Sequence, residues 1–223
     1  MHLNPHCCPI YTLATMAKKR PRNPEETVER VRAGLNLLSK GPNDPEFVAY
    51  METAKKEDHL AFCLLQVARY VSQFKPEKAI ALVNNESLLS EVSVKPELQL
   101  TLYNRLSMAY GQLGNFGFSE DYAKRAVELS EEFNIPTNVH MNLFEAKLRL
   151  RDYANLREEI GKFLKSLKNY SFPLPEGEWR EPARRRMMNW AQYLLAYADT
   201  VEGQLKRAIR IFGEILTDEI GVG

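Results

Sequence analysis

The side chains with the most obvious capacity for chemistry lie at the beginning of this 223-residue chain. His2, His6, Cys7 and Cys8 could all bind a metal ion. A closed zinc site normally combines two paired elements, such as Cys-x2–4-Cys and His-x3–5-His, on a folded knuckle. Because only one half of such a site is present, we expect no metal site here. We treat residues 1–22 as a disordered N-terminal extension.

The other histidines and the third cysteine form no recognisable catalytic pattern. Cys63 lies within the apolar segment 62–65, which predicts a buried structural thiol. His59 and His140 are expected to stand alone on their helices. The sequence contains no Gly-rich phosphate loop, no His-Glu-x-x-His motif and no paired carboxylates. We therefore expect a protein that is not an enzyme and that uses no cofactor and no small-molecule substrate.

The charge balance limits the classes of partner. The chain is 44% apolar and 26% charged with a net charge of +1, which argues against a general polyanion binder. Two basic clusters, residues 18–22 and the arginines at 180 and 184–186, keep nucleic acid as an alternative partner. No segment approaches the roughly 18 uninterrupted apolar residues of a membrane helix, so we expect no membrane partner.

The three cysteines, two of them adjacent, form no disulfide framework. Such usage is typical of a reducing compartment. We therefore expect a cytoplasmic, intracellular protein. A nuclear location is the alternative, because residues 18–22 resemble a nuclear-import arm.

Proline marks the predicted helix starts. Pro24, Pro45, Pro76 and Pro96 are each followed by glutamate, and both residue types are favoured in the first turn of a helix. Apolar residues recur at helical spacing, and no hairpin turn is flanked by alternating β-branched residues. These patterns predict an all-α chain. The predicted helices are 24–39, 45–54, 57–73, 76–84, 97–112, 116–133, 137–150, 153–168, 182–200 and 204–217.

The segment that begins at residue 100 resembles a tetratricopeptide repeat. Tyr103, Leu106, Ser107 and Tyr110 follow the Trp-x2-Leu-Gly-x2-Tyr spacing of the first repeat helix, with Tyr for Trp and Ser for Gly. Gly114 opens the turn, where a residue that tolerates positive φ is needed. Two tightly crossing helices also require small residues at their contact. On the second helix these are Ser119, Ala123 and Ala126.

Further copies of the repeat are more degenerate. Their turns fall at 151–153 and 203–205, and a weak upstream copy has Phe74 in place of the turn glycine. The turns are further apart than the family period of about 34 residues, and residues 170–182 interrupt the array as an insert. The resemblance covers residues 100–217 and, weakly, 57–86. The predicted divisions are capping helices at 23–56, repeats at 57–217 and a C-terminal tail at 218–223.

The resemblance implies an antiparallel helix–turn–helix array that forms a right-handed α-α superhelix. It also implies an adaptor or scaffold that binds a peptide or helix of a partner protein in a concave groove lined by the first helix of each repeat. The positions carried over to this groove are Asn104, Arg105, Met108, Asn138, Met141, Asn142, Glu145, Arg149, Trp190, Tyr193 and Tyr197. The spacing of Trp190, Tyr193 and Tyr197 fits equally well a row of apolar side chains on the buried face of the helix. The alternative function is a regulatory or assembly subunit that contacts nucleic acid through the basic clusters.

Overall fold

The computed structural model describes residues 23–169, 171–174, 177 and 180–220. Within these residues the regular structure is entirely helical, so the all-α prediction is confirmed. None of the described helices is long and apolar enough to cross a bilayer. The helices are α1 (Pro24–Leu38), α2 (Pro45–Glu57), α3 (His59–Ser72), α4 (Pro76–Asn85), α5 (Leu88–Glu91), a 3-10 turn (Val92–Val94), α6 (Pro96–Gln112), α7 (Phe116–Glu132), α8 (His140–Arg149), α9 (Tyr153–Lys168), α10 (Arg180–Val201) and α11 (Leu205–Ile220).

Each of the ten predicted helices is present, with small shifts at the ends. Two of the four proline-led starts have a side-chain cap: Asn23 accepts a hydrogen bond from the amide of Glu25 at 3.2 Å, and Asp44 accepts one from the amide of Glu46 at 2.9 Å. Helices α4 and α6 have no such cap. Helix α3 has no proline and uses Asp58, whose side chain accepts from the amide of Ala61 at 3.1 Å. The hydroxyl of Thr27 donates to the same buried carboxylate at 2.8 Å, which ties α1 to α3. Helix α5 and the 3-10 turn were not predicted.

The helices pack as consecutive pairs. Contacts join α1 to α2, α3 to α4, α6 to α7, α8 to α9 and α10 to α11. The first helices of neighbouring pairs also touch, in the order α1, α3, α6, α8 and α10. One apolar core fills the space among α1, α3, α4 and α6, and another lies among α8, α9 and α10. Phe172 and Leu174, from the described part of the predicted insert, are buried in this second core.

Five of the described connections share one backbone geometry, and four of them lie at the turns of the predicted repeats. Phe74, Gly114, Arg151 and Gly203 all have positive φ, at 54°, 74°, 61° and 76°. In each case the amide of the next residue donates to a carbonyl five positions earlier, which is the Schellman ending of a helix. The four bonds are Lys75 to Tyr70 (2.9 Å), Asn115 to Tyr110 (2.9 Å), Asp152 to Lys147 (3.0 Å) and Gln204 to Asp199 (2.7 Å). The fifth connection lies between α7 and α8, where Asn134 has φ 51° and the amide of Ile135 donates to the carbonyl of Ser130 at 2.9 Å.

The ends of the chain differ slightly from the predicted divisions. Helix α11 continues to Ile220, three residues beyond its predicted end, and residues 221–223 lie outside the described residues. The predicted N-terminal extension, residues 1–22, also lies outside them.

Candidate binding groove

A cavity of about 410 Å³ lies among α6, α7 and α8, beside the turn between α3 and α4. Its apolar lining includes Phe74, Met108 and Phe116. Phe74 is 80% exposed, because the left-handed turn holds its side chain away from the core. Such a volume falls within the range of about 300–1,000 Å³ that ligand pockets occupy. The cavity therefore offers an open apolar surface large enough for a side chain or two.

The polar side of the cavity comes from one face of α8. Asn142, Glu145 and Arg149 line it, and their spacing places them above one another on the helix. A guanidinium nitrogen of Arg149 lies 3.9 Å from a carboxylate oxygen of Glu145, and both side chains are more than half exposed. An exposed pair at this distance contributes little to stability. Both charged groups are therefore available to a ligand at small cost.

Small residues form the floor of the cavity, where α6 and α7 approach closely. The hydroxyl of Ser119 donates to the backbone carbonyl of Ser107 at 2.9 Å. A Cβ added at Gly111 would lie 3.3 Å from the same hydroxyl oxygen. The side-chain amide of Gln112 donates to the carbonyl of Val71 at 2.9 Å and joins α6 to α3. These contacts fix the cavity walls relative to one another.

Arg105 on α6 places part of its charged guanidinium group away from solvent. Its Nε is buried and has no hydrogen-bond partner among the described residues, and one terminal nitrogen donates to the sulfur of Met108 at 3.5 Å. Burial lowers the pKa of this guanidinium. The residue as a whole is half-buried, and it is not among the residues that line the cavity.

The structure brings together some of the predicted groove residues and separates others. Met108, Asn142, Glu145 and Arg149 line the cavity, and the amide of Asn142 donates to the side-chain oxygen of Asn104. Asn138 is exposed and lies two residues before α8, which begins at His140, three residues later than predicted. Met141 packs against the core among α8, α9 and α10.

The predicted aromatic trio lies elsewhere. Trp190, Tyr193 and Tyr197 are 47%, 44% and 43% exposed, so they belong to the surface and not to the core. The rings of Trp190 and Tyr193 are 5.8 Å apart. Both residues line a second cavity of about 570 Å³ together with Arg185 and Arg186.

Sequence reasoning did not assign the other seven lining residues to the groove, namely Phe74, Ser107, Gly111, Gln112, Phe116, Ser119 and Ala146. Phe74 carried a signal, since a large apolar residue stood at a turn position where the repeat pattern has glycine. Gln112 and Phe116 border the predicted turn at Gly114, but nothing in their types distinguished them from ordinary flanking residues.

The expectation that His59 stands alone is wrong. Its Nε2 lies 3.0 Å from a carboxylate oxygen of Glu86 and 3.5 Å from the sulfur of Cys63. The spacing of four residues between His59 and Cys63 on a helix was a signal for this contact. Cys63 is buried as predicted, and burial raises the pKa of its thiol to about 12. His140 does not stand alone either, because its ring stacks on Phe163 at 4.8 Å and its Nε2 lies 3.4 Å from a carboxylate oxygen of Glu131.

Comparisons of the chain with protein-family models, with curated proteins and with solved structures found no match.

Proposed function

We propose that this chain is a tetratricopeptide-like repeat protein with a right-handed superhelical arrangement. We propose further that it acts in the cytoplasm or nucleus as an adaptor or scaffold, binding a peptide or helix of a partner protein in the groove among α6, α7 and α8. One observation carries the proposal: four residues selected from the repeat pattern alone, Met108, Asn142, Glu145 and Arg149, line a single cavity.

The connections between helices support the repeat assignment. The turns at Phe74, Gly114, Arg151 and Gly203 have the same sign of φ and the same backbone hydrogen bond, although two of them lack glycine. A non-glycine residue in this region costs free energy, so the packing around Phe74 and Arg151 must hold them there. Asn134, between two pairs, ends α7 in the same way, so the positions of the four turns, and not the motif itself, support the assignment. Contacts between the first helices of successive pairs are what a stacked array requires.

The lining of the groove favours a peptide ligand. Phe74, Met108 and Phe116 provide an apolar surface for a partner side chain, and the flexible thioether adapts to varied shapes. Asn142 and Arg149 add donors that suit backbone carbonyls or a carboxylate. An aromatic anchor surrounded by polar groups is the usual composition of an interaction hot spot.

Photo-crosslinking in the source cell tests this proposal. A photoreactive amino acid at Glu145, on the groove, is compared with one at Glu158, an exposed position on α9. We expect a discrete partner protein to be crosslinked from position 145 and not from position 158. Crosslinks from position 158 alone would show that the partner binds the outer face, and they would refute the proposal that it binds in the groove.

A second candidate function rests on the cavity beside α10 and α11. Arg185 and Arg186 lie there with Trp190 and Tyr193, and arginines beside exposed aromatic rings suit the phosphates and bases of single-stranded nucleic acid. Arg184 is less available, because its guanidinium donates to Glu181 at 2.9 Å. Measured binding to single-stranded oligonucleotides should weaken steeply with salt if this candidate is right. If the chain does not bind single-stranded oligonucleotides even at low salt, this second candidate function is wrong.

A further inference from the structure

Three side chains with metal-binding atoms converge where α3 faces the end of α4. The Nε2 of His59 lies 3.5 Å from the sulfur of Cys63 and 3.0 Å from Oε2 of Glu86. One ligand atom from each of the three residues lies within 4.8 Å of the others. His59 and Cys63 share a helix face at a spacing of four residues, and Glu86 follows the last residue of α4. The cluster thus joins two separate elements.

We propose that His59, Cys63 and Glu86 form a binding site for Zn²⁺. A tetrahedral zinc ion with bonds of about 2.0 Å to nitrogen and oxygen and about 2.3 Å to sulfur separates N from S by about 3.5 Å and N from O by about 3.3 Å. The corresponding separations here are 3.5 Å and 3.0 Å. The ring of His59 and the carboxylate of Glu86 are 47% and 40% exposed, so both can turn slightly to complete the geometry.

The donor set also selects the class of metal. Thiolate and imidazole prefer Zn²⁺ to the hard cations Mg²⁺ and Ca²⁺, which favour oxygen ligands. Binding forms a zinc–sulfur bond and releases the Cys63 proton to solvent. Three protein ligands leave a fourth position for water. The bound ion would link α3 to the connection between α4 and α5 and stabilise the folded chain.

The experiment uses the full chain with His2 and His6 changed to Gln and Cys7 and Cys8 changed to Ser, because those terminal residues could bind metal themselves. Zn²⁺ is titrated by calorimetry, and Co²⁺ is added separately to reveal a sulfur-to-metal charge-transfer band. His59→Gln and Glu86→Gln are the test variants, since both side chains are partly exposed and their loss should leave the fold intact. Glu77→Gln, at an exposed acid on α4, is the matched control.

We expect one Zn²⁺ per chain, a thiolate band with Co²⁺ and a higher melting temperature with zinc. Each test variant should weaken Zn²⁺ binding by more than about 100-fold, because loss of an outer-shell partner alone costs 10–100-fold. The control should bind as the parent does. Absence of stoichiometric binding, absence of the thiolate band, or equal affinity in parent and test variants would each overturn the proposal.

Discussion

The side-chain amide of Asn142 on α8 donates a hydrogen bond to the side-chain oxygen of Asn104 on α6. Both residues were selected from the repeat pattern as ligand contacts. Their pairing means that they also connect the first helices of two neighbouring pairs at the edge of the cavity. Substitution of either residue should therefore affect the stability of the chain as well as its binding.

Asn142→Ala should lower the free energy of unfolding by about 1 kcal/mol, because it removes a half-buried hydrogen bond. Combining it with Asn104→Ala should add little, since the second change removes the partner left behind. Urea denaturation measures both. Asn138→Ala, at an exposed residue outside the cavity, should stay within about 0.5 kcal/mol of the parent. Fully additive losses from the two cavity variants would show that the bond contributes nothing.

Substitutions at two of the turns should change the free energy of unfolding in opposite directions. Gly114→Ala should lower the free energy of unfolding by about 1 kcal/mol, because a Cβ is strained at φ 74°. Arg151→Gly should raise it by roughly 0.5–1 kcal/mol, since relief of strain exceeds the added entropy of the unfolded chain. Thermal and urea denaturation of both variants check the pair. A stabilised Gly114→Ala protein would contradict the shared turn geometry.

Ala126 is fully buried between α6 and the start of α8, beside Leu100 and Val139. Ala126→Trp should overpack this contact and destabilise the chain by about 1–3 kcal/mol or more. Ala154→Trp, at an exposed alanine on α9, is the control and should change stability little. Equal melting temperatures for the two variants would mean that residue 126 does not lie at a tight helix crossing.

We expect the free energy of unfolding to depend on pH because of the buried side chain of His140. Burial lowers the pKa of its imidazole below the ordinary value of 6.5, against a smaller opposing effect of Glu131. The unfolded chain therefore binds more protons between the two pKa values. The free energy of unfolding should be level above about pH 7 and fall as the pH drops below about 6.5. His140→Gln should flatten this part of the curve in urea denaturation. Parallel curves for the parent and the variant would contradict the account.

The sequence was most informative where local rules determine structure. Prolines followed by glutamate, with apolar residues at helical spacing, located all ten long helices, and the repeat pattern located the turns at Phe74 and Arg151 although neither is glycine. Helix α5 escaped prediction because four residues are too few for a periodic signal. The contact of Glu86 with His59 and Cys63 escaped it because that contact depends on how α4 packs on α3.

Calorimetry with the partner peptide identified by crosslinking at position 145 tests the central claim most directly. Phe74→Ala and Arg149→Ala remove exposed groups that line the cavity, so stability should remain nearly unchanged. We expect each variant to weaken binding by roughly tenfold to a hundredfold, as loss of a hot-spot residue does. The matched controls Phe133→Ala and Arg210→Ala, at exposed residues outside the groove, should bind as the parent does. Unchanged affinity in both groove variants, or an equal loss in the controls, would contradict recognition through this groove.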